Sequence, residues 1–435
     1  MDGLAAKQLL DVIGIGIGPF NLGLAALLEK TECKSIFFDK QPRFEWHPGM
    51  LLEGTTLQVP FMADTVTMVD PTSRFSFLNY LHEHNRLYQF YFLESFHIPR
   101  NEYNHYCQWV AQQLPQLQFS SEVENIERTE EGCFQVTVYS SDKGKRELYT
   151  AKHVVLGIGT EPNIPEKFRL EDSGRIFHSS EYLEKRNQAI QADSITVFGS
   201  GQSAAEIFYD LLSRQSDYNY QLSWYTRSKG FYPMEYSKLG LEHFSPDYTK
   251  YFYQLPQKKK QGILDNQSLL YKGISFSTIS DIYDLLYERT VGNSKPDVHL
   301  QALTELVSAE DRHDCLQLSL YQHEQEVSKQ VNTDIVIIAT GYQPCTPDFL
   351  EGIGSLLERD KNGQLVITEN YKVKTNDNGN HHVFVQNGEL HTHGVGAPDL
   401  GLGAFRSATI INQIAGQTIY KTYDDNVFQQ FGMQF

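Results

Sequence analysis

Two glycine-rich turns of one kind, about 180 residues apart, constrain this chain more than any other feature. The first is Gly16-Ile17-Gly18-Pro19-Phe20-Asn21, directly after the apolar run Leu10-Asp11-Val12-Ile13. The second is Gly199-Ser200-Gly201-Gln202-Ser203-Ala204, directly after Ile195-Thr196-Val197-Phe198. Each follows a strand-like run and opens a helix-like one, the setting that a dinucleotide-binding turn requires. Glycine lets the backbone approach a pyrophosphate, and the helix beyond supplies N–H donors and the positive end of its dipole. One such match is weak. Two in context imply two dinucleotides on one polypeptide, the layout of a flavin enzyme reduced by a nicotinamide. The expected fold class is α/β, with two Rossmann-like dinucleotide-binding domains and a small, mainly helical insertion.

The residue closing the second strand of each unit tells the two turns apart. Ser35-Ile36-Phe37-Phe38 ends in Asp39, where a carboxylate accepts hydrogen bonds from ribose hydroxyls. That acid suits the adenosine of FAD or NAD and repels a 2′-phosphate. Leu222-Ser223-Trp224-Tyr225-Thr226 runs instead into Arg227, which suits the extra phosphate of NADP. FAD is therefore assigned to the first turn and NADPH to the second; a solvated surface charge is the competing reading of Arg227. Both turns depart from the full fingerprint at its third glycine, replaced by Asn21 and Ala204. Asparagine is bulky, so the first helix is expected slightly further from its strand. Gly14 is read as packing within that strand.

At 435 residues the chain holds two or three domains around substantial cores. A formal net charge of −17 argues against nucleic acid and anionic membrane as partners and is compatible with a small cationic substrate. The cysteines Cys33, Cys107, Cys133, Cys315 and Cys345 form no C-x-x-C pair. That fits a reducing cytoplasm and excludes a dithiol redox centre of that type and a cysteine zinc cluster; no metal site is expected. No signal peptide or long apolar span is read in the chain, so a soluble, cytoplasmic protein is expected.

Along the chain, residues 1–190 and 330–435 are assigned to the FAD domain, 191–230 and 276–329 to the NADPH domain, and 231–275 to a helical substrate-binding insertion. The run Asp334-Ile335-Val336-Ile337-Ile338 is expected to close back into the first domain. Lys258-Lys259-Lys260 reads as a solvated helix face. A final apolar-periodic helix is expected from about Leu402 to Ala415, stopped by Gly416.

Nearly end to end, the chain resembles the flavin-dependent N-hydroxylating monooxygenases of siderophore biosynthesis, the lysine and ornithine N-monooxygenase family. The resemblance is carried by Gly16-Ile17-Gly18-Pro19-Phe20-Asn21-Leu22, Trp46-His47-Pro48-Gly49-Met50, Leu57-Gln58 and Ser76-Phe77-Leu78-Asn79-Tyr80. It continues through the second glycine turn, Ala339-Thr340-Gly341-Tyr342 and Thr392-His393-Gly394, with His178 and Tyr182 as a linker signature. It implies that Trp46 and His47 wall the flavin and that Gln58 hydrogen-bonds the flavin ring or the nicotinamide amide. Thr340-Gly341 would approach the flavin closely. Leu400 would lie near its pyrimidine, where the dipole of the last helix stabilises a reduced ring. Lys40, Val123, Pro398 and Asp399 are further implied cofactor positions. His393 is read as a turn histidine with a satisfied ring.

The implied reaction is reduction of FAD by NADPH, addition of O2 to give a flavin hydroperoxide, and attack of a neutral amine on its distal oxygen. Neutralising an alkyl ammonium at pH 7.4 costs about 4 kcal/mol unless the site desolvates it. No dedicated catalytic acid or base is expected. In amino-acid-hydroxylating members a lysine pairs with the substrate carboxylate; that position here is Ala63. Leu241 and Leu270 stand where ornithine-specific relatives carry asparagines, which lysine-specific relatives also lack, and Gly401 stands where a neighbouring serine is found. A buried carboxylate without a cation costs several kcal/mol, so a decarboxylated amine is expected. Putrescine or cadaverine comes first and histamine second, with lysine or ornithine hydroxylation and a flavin-binding redox sensor as further alternatives. Glu235, Glu242 and Asp247 are candidates to receive the far ammonium of a diamine. The family's habit implies a homo-oligomer, often a tetramer.

Overall fold

The computed structural model describes residues 9–169, 173–377 and 379–433; the polar lead-in at residues 1–8 lies outside them. The first unit begins with β1 (Leu10–Ile15), whose last four residues are buried, as a central parallel strand requires. Helix α1 (Pro19–Leu28) is buried nearly all round, and β2 (Ser35–Phe38) returns parallel to β1. Helices α2 (Phe77–Glu83), α3 (Leu87–Leu93) and α4 (Arg100–Gln112) follow. Strands β3 (Leu117–Gln118), β4 (Ser121–Arg128), β5 (Phe134–Ser140) and β6 (Lys145–Leu156) complete the front of the sheet. The long β6 does two things at once. Its first half pairs antiparallel with β5, while Ala151 to Leu156 run parallel to β1.

Next come β7 (Thr160–Pro162), β8 (Ile176–His178), α5 (Tyr182–Ala189), β9 (Ser194–Phe198), α6 (Gln202–Tyr218) and β10 (Gln221–Tyr225). The insertion supplies α7 (Lys238–Leu241), α8 (Pro246–Gln254) and α9 (Gln257–Asn266), followed by α10 (Phe276–Glu288). Strands β11 (Val298–Gln301), β12 (Thr304–Asp311), β13 (Leu316–Gln322), β14 (Val327–Thr333), β15 (Ile335–Ile338) and β16 (Tyr342–Pro344) follow. The chain ends through β17 (Val383–Val385), α11 (Leu390–His393) and α12 (Gly403–Ala415), the last stopped by Gly416 in the left-handed conformation.

Two parallel sheets of like order result. One runs β3-β2-β1-β6, with β17 also on β6; the other runs β11-β10-β9-β15-β8. Each is joined by an antiparallel meander, β4-β5-β6 and β12-β13-β14. Here the expected domain limits need correction. β15 lies parallel beside β9, and β8 lies beside β15, so both belong to the second sheet and neither closes into the first. A short buried Val/Ile run reads as a central strand of either sheet, and only its hydrogen-bonding partner distinguishes them. The chain passes between the units through β7 and β16, which pair antiparallel.

The 231–275 insertion is helical and packs through Tyr248, Phe252 and Leu264 against Val395. Its lysine run is not uniformly solvated. Lys260 is buried, donating to the carbonyls of Tyr253 (2.8 Å) and Thr392 (3.3 Å) with Phe252 and Tyr253 rings nearby. It joins α9 to α11, and desolvation lowers its pKa. No helix among the described residues is long and apolar enough to cross a membrane.

Candidate active site

Gly16 begins the first turn with a φ of 83°, and a Cβ there would fall 2.4 Å from the Gly157 carbonyl oxygen. Only glycine fits that close approach. Past it, α1 starts at Gly18 with Pro19 in its first turn and no side-chain cap, and space around Gly18 is open. Helices α2, α8 and α10 are by contrast capped by Ser76, Ser245 and Ser275. An uncapped N-terminus facing open space is what a pyrophosphate needs. The Asp39 carboxylate accepts from Ile17 N–H (2.6 Å) and Gln41 N–H (2.8 Å), which holds the acid at the turn, with Lys40 exposed beside it.

Asn21 departs from the expected spacer role. Its Nδ2 donates to the carbonyls of Ile15 (3.1 Å) and Gly16 (2.8 Å), and its Oδ1 accepts from Gln386 (2.8 Å). Gly157 makes the room, since a Cβ there would lie 2.4 Å from Asn21 Nδ2. The bulk is absorbed opposite the helix, and the amide braces the turn. Phe20 and Leu22 are buried, with the Arg406 guanidinium 4.7 Å from the Phe20 ring centroid. Val123 is a core residue at a register shift in β4, so only its backbone is free to face a ligand. Pro19, Phe20, Asp64, Tyr103 and Leu400 line a small recess between α1 and α12.

Aromatic and backbone groups converge at the mouth between the sheets. The Trp46 backbone N–H donates to Asn104 Oδ1 (2.8 Å), and the indole ring meets Tyr103 and His47 edge-on at 5.1 Å. His47, at φ 49°, stands 5.4 Å from the Tyr342 ring. Surrounding protein and then the Arg100 charge lower its pKa to about 4, although one face opens into the cleft. It is therefore neutral at physiological pH. Gly341 has a φ of 79° with open space where a Cβ would sit. Its carbonyl accepts from His178 Nε2 (3.1 Å), while His178 Nδ1 accepts from Ser180 N–H (3.2 Å). Thr340 Oγ1 donates to the Asn163 carbonyl. Gln58 Nε2 is buried and has no hydrogen-bond partner among the described residues. A buried amide without a partner is costly, and a flavin carbonyl or nicotinamide amide would satisfy it. The residues present thus fit FAD at the first turn.

At the second turn Gly199 packs against Ala339, whose carbonyl oxygen would lie 2.5 Å from a Cβ there, with Ala204 buried beneath. Helix α6 starts at Gly201 with no side-chain cap, and Ser203 is half-buried in its first turn. The Gln202 side chain is occupied by protein: it accepts from Ser275 N–H (2.7 Å) and donates to Glu206 (2.8 Å) and Thr278 (3.0 Å). Only its backbone is left for a cofactor. Arg227 is exposed past the end of β10 and forms no ion pair among the described residues, so it is free to meet a phosphate. This turn fits NADPH.

Two ion pairs escaped the sequence reading because nothing in the local pattern links their members. Arg100 of α4 meets Glu206 of α6 at 2.7 Å and ties the first unit to the second nucleotide helix. Arg406 and Glu389 pair at 2.9 Å, both fully buried, under the Gly394 turn. His393 is satisfied as expected: Nδ1 lies 2.8 Å from Thr392 Oγ1 and Nε2 3.2 Å from the Glu369 carbonyl. Burial lowers its pKa to about 3.

Of the expected substrate residues, Ala63 and Gly401 come together. A Cβ on Gly401 would lie 3.9 Å from the Ala63 Cβ and 2.8 Å from Asp399 Oδ1. Leu270 packs in the insertion's own core, and Leu241 is exposed. Among the candidate acids, Glu242 accepts from Phe428 and Gln429 N–H groups and Asp247 from those of Asp425 and Asn426, so both hold the C-terminal tail. Glu235 accepts from Ser237 N–H. Glu242 and Asp247 are thus committed to the tail. Among the described residues no His, Cys, Asp and Glu grouping suits a metal.

Residues 8–344 match the family described as L-lysine 6-monooxygenase/L-ornithine 5-monooxygenase. The chain is 44% identical over 429 residues to a putrescine N-hydroxylase of Shewanella oneidensis, covering 98% of this chain and 84% of that one. It superposes with a TM-score of 0.94 and 42% identity on the FAD-bound DfoA of Erwinia amylovora, a cadaverine monooxygenase of desferrioxamine biosynthesis, covering 99% and 100% of the two chains. An ornithine N-hydroxylase of Kutzneria sp. 744, in a complex with reduced FAD, NADP⁺ and L-ornithine, gives a TM-score of 0.88 at 27% identity, covering 94% and 99%. Paired nucleotide turns, an aromatic cleft between them and likeness along the whole chain lead to one conclusion: this protein belongs to the lysine/ornithine N-monooxygenase family, the FAD- and NADPH-dependent N-hydroxylating enzymes.

Proposed function

We propose that this chain N-hydroxylates an aliphatic diamine, putrescine or cadaverine, to a hydroxylamine destined for a siderophore. One observation carries the reading: Ala63 and Gly401 stand side by side with no cation at position 63 to receive an α-carboxylate. An amino acid would have to bury its carboxylate uncompensated, whereas a diamine brings none. The names of the Shewanella and Erwinia relatives support the same substrate class.

FAD reduced by NADPH supplies the activation of O2. The protein's own part is to bind, orient and exclude water. Uncapped helices α1 and α6 receive the two pyrophosphates, Asp39 the FAD ribose, and Arg227 the NADPH phosphate. Trp46 and the neutral His47 wall the cleft, and neither is placed to hand a proton to the amine. Gln58 offers its unpartnered amide to a ring carbonyl. The aromatic lining desolvates the reacting nitrogen and so favours its neutral, nucleophilic form.

The test is a hydroxylamine assay on putrescine, cadaverine, histamine, lysine and ornithine at equal concentration. The diamines should give the highest kcat/KM; fastest turnover of free lysine or ornithine overturns the reading. We also propose a cytoplasmic homo-oligomer. Helix α3 supports the assembly, since it buries none of its residues and exposes Tyr88, Tyr91 and Phe92 together. A light-scattering mass equal to one chain would remove it.

A further inference from the structure

Resting on the diamine reading, we infer that Asp399 receives the substrate's distal ammonium and sets the preference for a second positive charge. Two acids stand beside the positions where a carboxylate binder would be expected; Asp64 is occupied by the N–H groups of Val66, Thr67 and Phe77, which leaves Asp399. A side chain on Gly401 would lie 2.8 Å from Asp399 Oδ1, so the missing side chain leaves that oxygen open towards Ala63. The carboxylate accepts from Gly401 N–H at 2.8 Å. It forms no ion pair among the described residues, because Arg406 is taken by Glu389 and by the carbonyl of Ala397 at 2.7 Å. With alanine at 63 and an unpaired carboxylate at 399, the local charge repels an acid and attracts an ammonium. Glu242 and Asp247 are occupied by the tail and Glu235 lies against Gly240 in the insertion, whereas Asp399 lies against Gly401.

Two further observations agree. Burial, offset by Gly401 N–H and Arg406, raises the Asp399 pKa to about 6, as befits a carboxylate lacking a cation. Tyr236 of the insertion faces the same carboxylate: burial first and that charge second raise its pKa to about 12.

Asp399 also caps the short turn Leu400–Leu402, and that structural role must be separated from binding. Asparagine caps as well as aspartate, so Asp399→Asn removes the charge and keeps the cap. Cadaverine and n-pentylamine, equal in length and differing by one ammonium, are compared by calorimetric binding to the FAD-loaded enzyme with NADP⁺ and by kcat/KM. The wild type should prefer cadaverine strongly. Asp399→Asn should weaken cadaverine binding about thirtyfold or more while pentylamine changes less than about threefold, so the ratio collapses. Asp399→Glu should recover part of the preference. If the asparagine variant keeps the wild-type ratio, or if both amines weaken in parallel, the assignment is wrong and the diamine reading stands. If the wild type itself binds both amines equally, the diamine reading falls and takes the assignment with it.

Discussion

At residue scale, Asn21 is the position where a motif and its structure disagree most usefully. By the fingerprint, Asn21→Gly restores the third glycine and should be harmless. By the structure it removes two donors to the Ile15 and Gly16 carbonyls, strands Gln386 and opens a void opposite Gly157. We expect a loss of about 2–3 kcal/mol in urea unfolding and a lower flavin content on purification. Ala63 gives the converse case. Ala63→Lys places an ammonium within reach of the Gly401 recess, where it should pair with Asp399 and repel a dication. Diamine kcat/KM should fall about tenfold or more, with lysine turnover appearing; unchanged selectivity would sink the argument from this position. The sequence pointed to both residues, but it mistook the job of the first.

At the scale of elements, the two uncapped helices carry the cofactor reading, and their strand ends carry the distinction between them. Arg227→Ala should raise the KM for NADPH about tenfold or more and leave that for NADH nearly unchanged, as steady-state oxidation rates would show. Equal effects on both would return Arg227 to an ordinary surface charge. The insertion and the tail form a second coupled element. Glu242 and Asp247 grip the backbone from Asp425 to Gln429, and Phe431 stacks on Tyr251. Replacing both acids by alanine should free the tail to limited proteolysis while leaving the global unfolding transition nearly unchanged. A tail as protected as in the wild type would count against the clamp. Strand–turn–helix order and the last helix were legible because local periodicity and glycine placement specify them. The tail clamp was not, since no local pattern links residues 242 and 428.

For the whole molecule, stability and pH are tied through histidines that the fold keeps neutral. His393 falls to about 3 and His153 to about 4, both chiefly by loss of solvent. Each folded value lies below the ordinary 6.5, so the unfolded chain binds more protons. The stability they contribute is complete above pH 6.5 and is lost as pH falls towards 4 and then 3. Glu206 and Glu389, with pKa values raised by burial, act in the opposite sense and offset part of this. Melting temperature should therefore fall more steeply between pH 6.5 and 4 for the wild type than for His393→Gln. Parallel curves would show that His393 takes no part.

The sequence was enough to expose two nucleotide-type units, an acid at one strand end and an arginine at the other, and an alanine where the family resemblance places a lysine. Those are statements about short segments, and short segments carry their own hydrogen-bonding and steric logic. Sheet membership was beyond its reach: β8 and β15 are apolar runs without an address, and pairing of β15 with β9, and of β8 with β15, supplies one. So were the burial of Lys260, the Arg100–Glu206 tie and the meeting of Ala63, Gly401 and Asp399. Each depends on residues far apart in the chain reaching a few ångströms of one another, and packing of the whole chain brings that about.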